Sequence, residues 1–400
     1  MSDGLLRLAV SLDGAGYHPA AWRDPSARPE ELFTAGYWAD LTRTAERGLL
    51  DFVSFDDAFG IQSSSHLAVD DRTDQVRGRL DATLVAARVA PVTTSIGLVP
   101  VATTTYPEPF HLASAIATLD YVSAGRAGWQ PRVGARPSDA ALVGVRAAPD
   151  VDIRLAGDPA AQQAASDFFA EAADTVEVVR RLWDSWEDDA IIKDVPTGRF
   201  IDRERLHYID FTGRFFSVKG PSIVPRPPQG QPVVAALAHS RVPYEFAATS
   251  ADVVFVTPSG TSDVGRRLDD VTRAEQAVGR TGAPLLRFAD LVVYLADTAG
   301  EALARKADLD DLAGAEHVSD AATFAGTVDE LADQIVAWRD HGLDGFRLRP
   351  GVILHDLVAI VDDLVPELQR RGVFRPAYEP GSLRDRLGLP RPPSRYARSA

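Results

Sequence analysis

The segment spanning residues 103–129, TTTYPEPFHLASAIATLDYVSAGRAGW, restricts the possible folds of this chain more than any other. It predicts the end of one strand, then a helix, then the start of a second strand. Pro109 suits the first helical turn, where a missing backbone N–H costs nothing. Apolar residues then recur with helical spacing, at Leu112, Ala115, Ile116 and Leu119. Gly125 ends this helix, and a strand–helix–strand unit of this length is a parallel crossover, so the fold is α/β.

The same alternation of short apolar runs and longer helical patterns continues along the whole chain. Strands are predicted at 5–12, 51–57, 95–104, 125–133, 232–238, 251–257, 284–296 and 345–349. Helices are predicted at 37–48, 79–90, 109–123, 164–186, 244–250 and 354–371. Eight strands that alternate with helices along the chain indicate a (β/α)₈ barrel, or TIM barrel, forming a single domain over residues 1–400.

Three segments interrupt this alternation. Residues 132–164 are rich in Ala, Gly, Pro and Asp and are predicted to form a long loop. Residues 187–231 contain a predicted small hairpin around Thr212 and Gly213, followed by a proline-rich approach to the fifth strand. We expect the Arg- and Pro-rich tail, residues 373–400, to wrap the barrel or to contact another subunit. Long insertions in a barrel are usually functional loops, so they do not indicate further domains.

The composition argues against several classes of function. A net charge of −15 disfavours nucleic acid or an anionic membrane as the main partner. The chain has no cysteine, which excludes disulfides, thiolate metal sites and a thiol nucleophile. It lacks a signal-peptide pattern and any uncharged apolar run of ~18 residues, so we expect a cytoplasmic protein without a membrane span. The histidines lack metal-ligand spacing, and no glycine-rich phosphate loop occurs, so no metal site is predicted.

Several motifs together resemble one enzyme family. Residues 103–129 are similar to that family's threonine-rich strand, E-P-Y/F-x-L/A-A, and L-D-x-x-S-x-G-R-x-G-W. Residues 178–190 (VVRRLWDSWEDDA), the insertion at 207–233 and the end of the chain are similar to other parts of it. The chain thus resembles the bacterial-luciferase-like flavin-dependent monooxygenases, in the branch of nitrilotriacetate and dibenzothiophene-sulfone monooxygenases. The resemblance covers nearly the whole chain.

The resemblance implies a barrel whose C-terminal loops hold flavin mononucleotide (FMN). Reduced FMN, supplied by a separate flavin reductase, would react with O₂ and oxidise a small organic substrate. The protein would provide position, a dry pocket and electrostatics. The family also implies a homodimer or homotetramer. The motifs identify neither the substrate nor an essential catalytic side chain.

The resemblance also assigns residues to the flavin ring. Asp57, at the end of the second strand, would lie beside the ring, although a carboxylate at this point also suits a helix N-cap. At least one of the hydroxyls of Thr103 and Thr104 would bond the polar edge of the ring. Gln130 stands where the family most often has Asn, and it keeps the amide on a side chain longer by one methylene.

Two further pairs of residues are expected at the site. Ser240 would hold the FMN phosphate at a helix N-terminus, where backbone N–H groups favour an anion, and Arg241 would add a positive charge. A plain N-cap role would produce the same serine. His18 and Trp22, in the loop after the first strand, are candidate substrate-pocket residues.

One family motif is missing. The sequence H-x-x-x-R-Y, whose His and Tyr face the flavin phosphate or the substrate, falls on Ala165, Phe168 and Phe169 when counted back from the matched helix. Its loss leaves two alternatives open. One is an oxidoreductase that uses a deazaflavin coenzyme for hydride transfer on the same barrel, and the other is a non-catalytic subunit that partners an active paralogue.

Overall fold

A computed structural model describes residues 4–63, 69–144, 146, 149, 151–155 and 157–397. The strands, in chain order, are β1 (Arg7–Leu12), β2 (Phe52–Phe55), β3 (Gly97–Thr103), β4 (Gly128–Arg132), β5 (Ile191–Asp194), β6 (Arg199–Ile201), β7 (Phe211–Thr212), β8 (Ser217–Val218), β9 (Val233–Leu237), β10 (Val253–Val256), β11 (Leu286–Leu295), β12 (Ala322–Gly326) and β13 (Gly345–Pro350). The helices are α1 (Ala35–Arg47), α2 (Ala82–Val89), α3 (Pro109–Val122), α4 (Pro137–Val143), α5 (Pro159–Asp184), α6 (Arg241–Ser250), α7 (Thr261–Ala277), α8 (Ala299–Ala313), α9 (Val328–Asp340), α10 (Ile353–Ala359), α11 (Val365–Arg370) and α12 (Leu383–Arg386), with a π-helical turn (Ile360–Leu364) between α10 and α11. Within the described ranges, no helix is both long and apolar enough to cross a bilayer.

Eight of these strands form a closed parallel barrel. Their order around it is β1, β2, β3, β4, β9, β10, β11 and β13, and β13 pairs again with β1. The predicted (β/α)₈ architecture is therefore confirmed, and each predicted strand overlaps one barrel strand. Helices cover the outside of the barrel, so its strands are buried on both faces and form nearly continuous apolar runs such as VVFV in β10.

The barrel interior changes character along its axis. Near the N-terminal ends of the strands it is apolar, with a cluster that contains Ala9, Phe52, Val99, Val233, Val253, Phe255 and Phe288. Nearer the C-terminal ends the buried groups that meet one another are polar, namely Ser11, Ser54, Gln130, Asp290 and Arg347. The apolar end stabilises the fold, and the polar end lies beneath the loops that form active sites in barrels of this kind.

The C-terminal tail closes the N-terminal end of the barrel. Leu383 and Leu387 join the same apolar cluster as Phe52. Gly97 allows this approach, since a Cβ on it would lie 2.6 Å from a methyl carbon of Leu383. The hydroxyl of Tyr378 donates to the carbonyl of Leu50 at 2.7 Å. The tail therefore wraps the barrel, which was one of its two predicted roles.

The structure departs from the sequence prediction in the insertions. Residues 132–164 do not form a plain loop, because α4 lies within them and α5 begins at Pro159, where Asp158 accepts a hydrogen bond from the N–H of Ala160. The predicted hairpin is confirmed as β7 and β8. Strands β5, β6 and β12 were not predicted, because they are mostly exposed or half-buried and lack the apolar runs of the barrel strands.

Candidate functional site

A pocket of about 870 Å³ opens at the C-terminal ends of the barrel strands. The loops that follow β1, β2 and β4 form most of its wall, at residues 13–19, 58–63 and 132–136. Residues 313 and 315–318, at the end of α8 and beyond it, and His239, which follows β9, also line the pocket. Active sites of this barrel architecture lie at this face, so the pocket is the candidate site.

Charged side chains link three strand ends at the pocket. Arg79 donates to Asp13 at 2.5 Å and lies 3.5 Å from a carboxylate oxygen of Asp56. Arg132 donates to the other oxygen of Asp56 at 2.8 Å. Burial alone would raise the pKa of Asp56, but the guanidinium groups of Arg132 and Arg79 outweigh it and hold that pKa below its ordinary value. Asp56 is therefore ionised at neutral pH and joins the ends of β1, β2 and β4.

Two arginines of β13 share one buried carboxylate deeper in the barrel. Arg347 donates to both oxygens of Asp290, at 2.7 and 2.5 Å. Arg349 also donates to Asp290, and it reaches Asp320 at 2.6 Å. The Nη1 atom of Arg347 donates to Oε1 of Gln130 at 2.6 Å. The polar end of the barrel is thus a cross-linked layer, and buried charges of this kind are stable only when paired in this way.

One wall of the pocket is built around a buried histidine. Nε2 of His18 lies 3.1 Å from Oδ1 of Asp310, and Nδ1 of His18 accepts the N–H of Ala20 at 3.0 Å. These partners fix the neutral tautomer with the proton on Nε2, and burial lowers the pKa of His18. Lys306 donates to the second oxygen of Asp310 at 2.7 Å. His18 is therefore neutral, and both of its ring nitrogens are already hydrogen-bonded, so it is not available as a general base.

A second histidine, His317, lies against the first. The centroids of the His317 and His18 rings are 5.2 Å apart in an edge-to-face arrangement. Burial and the neighbouring His18 lower the pKa of His317 to about 4. Sequence reasoning missed His317, because no spacing relates it to His18 and only the closed barrel brings the two rings together.

Three of the predicted site residues line the pocket, namely His18, Trp22 and Thr103. The indole N–H of Trp22 donates to the carbonyl of Asp74 at 2.9 Å, which holds the ring in the wall. Thr104 is buried next to the pocket, and its hydroxyl donates to the carbonyl of Arg132 at 3.2 Å. Thr103 is thus the member of the threonine pair whose side chain is available to a ligand.

Asp57 is not among the residues that line the pocket. Its two carboxylate oxygens accept the N–H groups of Ala58 at 2.7 Å and Ala82 at 2.9 Å, so it ties the end of β2 to the first turn of α2. Burial raises the pKa of Asp57. Side chains alternate along a strand, and it is the carboxylate of Asp56 that pairs with Arg79 and Arg132 at the pocket. The predicted contact between Asp57 and the flavin ring stays a prediction.

The residues predicted near the phosphate lie at the start of α6. Ser240 precedes this helix, and its side chain forms no capping hydrogen bond. Arg241 is largely exposed and pairs with Glu245 at 3.1 Å. Neither residue contributes to the pocket wall, although the adjacent His239 does. The helix begins at Arg241 and not at Tyr244 as predicted.

The positions of the missing family motif hold apolar residues that are buried or half-buried in the structure. The rings of Phe169 and Phe246 lie 5.6 Å apart, so Phe169 packs against α6. Phe168 is buried. Neither ring carries a polar group that could bind a phosphate.

The pocket nevertheless offers hydrogen-bonding partners of both kinds to a polar ligand such as FMN. Its wall includes five arginines and four acidic residues, namely Arg72, Arg79, Arg132, Arg136, Arg154, Asp13, Asp139, Asp152 and Glu316. Oδ1 of Asp139 and Nδ1 of His317 are buried at the wall without a hydrogen-bond partner in the described part of the chain. Unpaired buried groups are costly, and a bound ligand can satisfy them. Among the described residues, no group of three or more His, Asp or Glu side chains converges to hold a metal ion.

Comparison with known sequences gives consistent matches. The family model for luciferase-like monooxygenases matches residues 15–311. N-acetyl-S-(2-succino)cysteine monooxygenase of Bacillus subtilis (strain 168) is 31% identical, with 98% of each chain covered. Nitrilotriacetate monooxygenase component A of Aminobacter aminovorans is 32% identical, with 96% of each chain covered.

Solved structures agree on the fold. A long-chain alkane monooxygenase superposes with a TM-score of 0.82 at 23% identity, covering 97% of this chain and 96% of that one. A riboflavin lyase solved with modified FMN and riboflavin superposes with a TM-score of 0.83 at 23% identity, covering 96% of each chain. The family model matches well over half of the chain, and two relatives exceed 30% identity over nearly its full length. The chain therefore belongs to the luciferase-like monooxygenase family and is a flavin-dependent monooxygenase.

Proposed function

We propose that the protein uses reduced FMN and O₂ to monooxygenate a small organic substrate inside the pocket at the C-terminal ends of the strands. The observation that carries this proposal is the arginine-rich pocket itself, which lies where barrel enzymes bind their ligands. When bound, reduced FMN supplies the electrons that activate O₂. The protein's own task is to bind, orient and shield the reactants.

The isoalloxazine ring would lie over the mouth of the barrel. Thr103 offers a hydroxyl from the wall, and Gln130 offers an amide from the layer below. Asp57 and Thr104 would act through their neighbours, since the first holds the start of α2 and the second holds the carbonyl of Arg132. These four residues would therefore set the position of the ring, two by contact and two by shaping the loops.

The phosphate would lie at the start of α6. Backbone N–H groups and the helix dipole favour an anion at a helix N-terminus. The hydroxyl of Ser240 has no capping partner there, and Arg241 is exposed beside it. With the H-x-x-x-R-Y motif absent, these two residues would carry more of the phosphate affinity than they do in proteins that have the motif.

The substrate would lie against the wall formed by His18 and Trp22. Both side chains are fixed by hydrogen bonds to Asp310 and Asp74, so they present rigid surfaces to the pocket. His18 is neutral and already hydrogen-bonded at both nitrogens. The wall therefore orients the substrate and excludes water without supplying a general base.

We also propose the setting in which the enzyme works. One relative is named a component A, which supports a separate reductase that delivers reduced FMN to this chain. The family resemblance supports a homodimer or homotetramer, and the sequence supports a cytoplasmic location.

A cofactor titration tests the proposal. Purified protein is titrated with oxidised and reduced FMN under nitrogen, and affinity is measured by fluorescence and absorbance. O₂ consumption is then followed after reduced FMN, O₂ and a panel of small organic compounds are mixed with the protein. We expect saturable binding at micromolar concentration and substrate-dependent oxygenation, with one oxygen atom from ¹⁸O₂ in the product.

The same experiment separates the alternatives. A deazaflavin coenzyme that binds more tightly than FMN, and transfers hydride without O₂ uptake, would replace the monooxygenase proposal with the hydride-transfer one. Protein that binds no flavin alone, but gains activity with a paralogous chain, would indicate a non-catalytic subunit. Gel filtration during the titration reports the oligomeric state.

A further inference from the structure

The side chain of Gln130 lies in the polar layer of the barrel and meets a charged partner from the far side. Its Oε1 accepts a hydrogen bond from Nη1 of Arg347 at 2.6 Å. Gln130 is on β4 and Arg347 is on β13, and both side chains are buried. The amide nitrogen of Gln130 forms no hydrogen bond with any described residue.

The guanidinium group of Arg347 is held on every side. Nε and Nη2 donate to the two oxygens of Asp290, at 2.7 and 2.5 Å. The ring of Phe255 lies against the guanidinium, with 3.6 Å between the guanidinium carbon and the ring centroid. Nη1 also lies 3.3 Å from the hydroxyl of Ser54. Arg347 thus has a single orientation, because a bidentate pair on a planar fork leaves it no rotation.

This geometry decides which end of the Gln130 amide faces the guanidinium. Arginine only donates hydrogen bonds, and a glutamine amide has one accepting oxygen and one donating NH₂ group. The accepting oxygen must therefore face Arg347. A reversed amide would place two donors against each other in a buried site, which is costly. The NH₂ group of Gln130 is consequently directed away from Arg347.

We propose that Arg347, itself held by Asp290, is a positioning residue that fixes the amide of Gln130 so that its NH₂ group donates to an acceptor on the bound flavin. This inference rests on the proposed function, because it requires FMN in the pocket. An NH₂ group can donate a hydrogen bond to a carbonyl oxygen or to N5 of the oxidised ring, and it cannot donate to the N3–H group, which is itself a donor.

The length of the Gln130 side chain suits this arrangement. It allows the oxygen to reach a guanidinium on β13 while the nitrogen remains on the side of the amide that faces away from it. Gln130 and Arg347 therefore match each other in length and in hydrogen-bonding character.

The test uses vibrational spectra of bound FMN together with its affinity. Gln130→Met removes the donor at nearly constant length and adds no charge. Arg347→Met removes the orienting group, and Asp290 keeps Arg349 as a partner in that variant. Ser54→Ala is the matched control, since it removes another contact of the same Nη1 atom and leaves Gln130 untouched. Infrared difference spectra of oxidised FMN report hydrogen bonds to its carbonyl and C=N groups, and fluorescence quenching gives the Kd.

We expect Gln130→Met to weaken FMN binding about fivefold to twentyfold, as for the loss of one or two hydrogen bonds, and to shift a carbonyl or C=N band to higher frequency. Arg347→Met should shift the same band in the same direction but less far, with a smaller loss of affinity, because a freely turning amide donates only part of the time. The double variant should show no shift beyond that of Gln130→Met, since both changes act on one hydrogen bond. Ser54→Ala should match the wild type in both measurements.

Three outcomes would overturn the inference while leaving the proposed function intact. The first is a wild-type spectrum and Kd in Gln130→Met. The second is a wild-type band in Arg347→Met when Gln130→Met shifts it. The third is a Ser54→Ala spectrum shifted as far as that of Arg347→Met. If Arg347→Met does not fold, Arg347→Lys decides in the same way, because an ammonium is a point charge without the planar fork that spans the Asp290 oxygens and Gln130. Failure of wild-type protein to bind FMN at all would instead reject the proposed function.

Discussion

Arg384 of the C-terminal tail lies in the barrel wall against Asp252, with 3.2 Å between Nη2 and Oδ1. The second oxygen of Asp252 accepts from Arg180 at 3.1 Å and from the N–H of Val234 at 2.9 Å. Burial alone would raise the pKa of Asp252, but Arg180 and Arg384 lower it to about 2. The tail is therefore fastened to the strand ends by a buried ion-pair network, and it behaves as part of the barrel.

The first prediction concerns the apolar part of this tail. Leu383→Ala should lower the free energy of unfolding by about 2–5 kcal/mol, because it opens a cavity in the buried cluster at the N-terminal end of the barrel. Urea unfolding followed by circular dichroism measures the change. Leu303→Ala, at an exposed leucine of α8, is the control and should change the free energy by less than about 0.5 kcal/mol. Equal effects of the two substitutions would show that the tail does not stabilise the barrel.

The second prediction separates the two carboxylates at the end of β2. Asp57→Ala should lower the free energy of unfolding by about 1 kcal/mol, because the N–H groups of Ala58 and Ala82 lose their acceptor. Its FMN affinity should fall only slightly, by no more than about twofold, because Asp57 would act on the ring through the start of α2 and not by contact. Asp56→Asn should instead weaken FMN binding, since Arg132 and Arg79 lose the charge that orders them. Calorimetry and FMN titration on both variants check this. A large loss of affinity in Asp57→Ala alone would support the direct flavin contact that the family resemblance implies for Asp57.

The fold was largely predictable because burial leaves a strong trace in the sequence. Barrel strands such as β10 are apolar along their whole length, and α3 carries the helical spacing of Leu112 and Ile116 on its buried face. β12 was missed for the opposite reason. It pairs with β11 outside the barrel, it is mostly half-buried or exposed, and its sequence ATFAG resembles a loop.

The site was less predictable because its charges pair across the barrel. His18 and Asp310 are separated by 292 residues, and Arg347 and Gln130 by 217. No local spacing connects such residues, and only closure of the sheet brings them together. Side chains alternate along β2, so a shift of one residue would exchange the positions of Asp56 and Asp57. β2 ends at Phe55, and the next side chain, Asp56, faces inward and contacts Arg132. Sequence patterns locate strand ends less sharply than that.

The third prediction tests the phosphate site with two ligands that differ only in the phosphate. The double variant Ser240→Ala/Arg241→Ala should weaken FMN binding about tenfold to hundredfold, as expected for the loss of a hydrogen bond to a charged group. Riboflavin, which has no phosphate, should bind both proteins equally. Arg273→Ala, at an exposed arginine of α7, controls for a general change of surface charge. A parallel loss of FMN and riboflavin affinity would mean that the two residues support the pocket in some other way.

The fourth prediction concerns the pH dependence of stability at the histidine wall. A histidine in the unfolded chain binds a proton below a pH of about 6.5, whereas folded His317 does so only below about 4. Between these values the unfolded state holds more protons, so the free energy of unfolding should fall as the pH drops from about 6.5 to 4. A shift of this size corresponds to at most about 3 kcal/mol, and partial exposure of His317 reduces the expected fall to roughly 1–2 kcal/mol. His317→Gln should flatten the profile across this window, whereas His111→Gln, at an exposed histidine of α3, should leave it unchanged. Urea unfolding at half-unit pH steps measures all three profiles, and parallel curves for the wild type and His317→Gln would contradict the assignment of a neutral, desolvated imidazole to this wall.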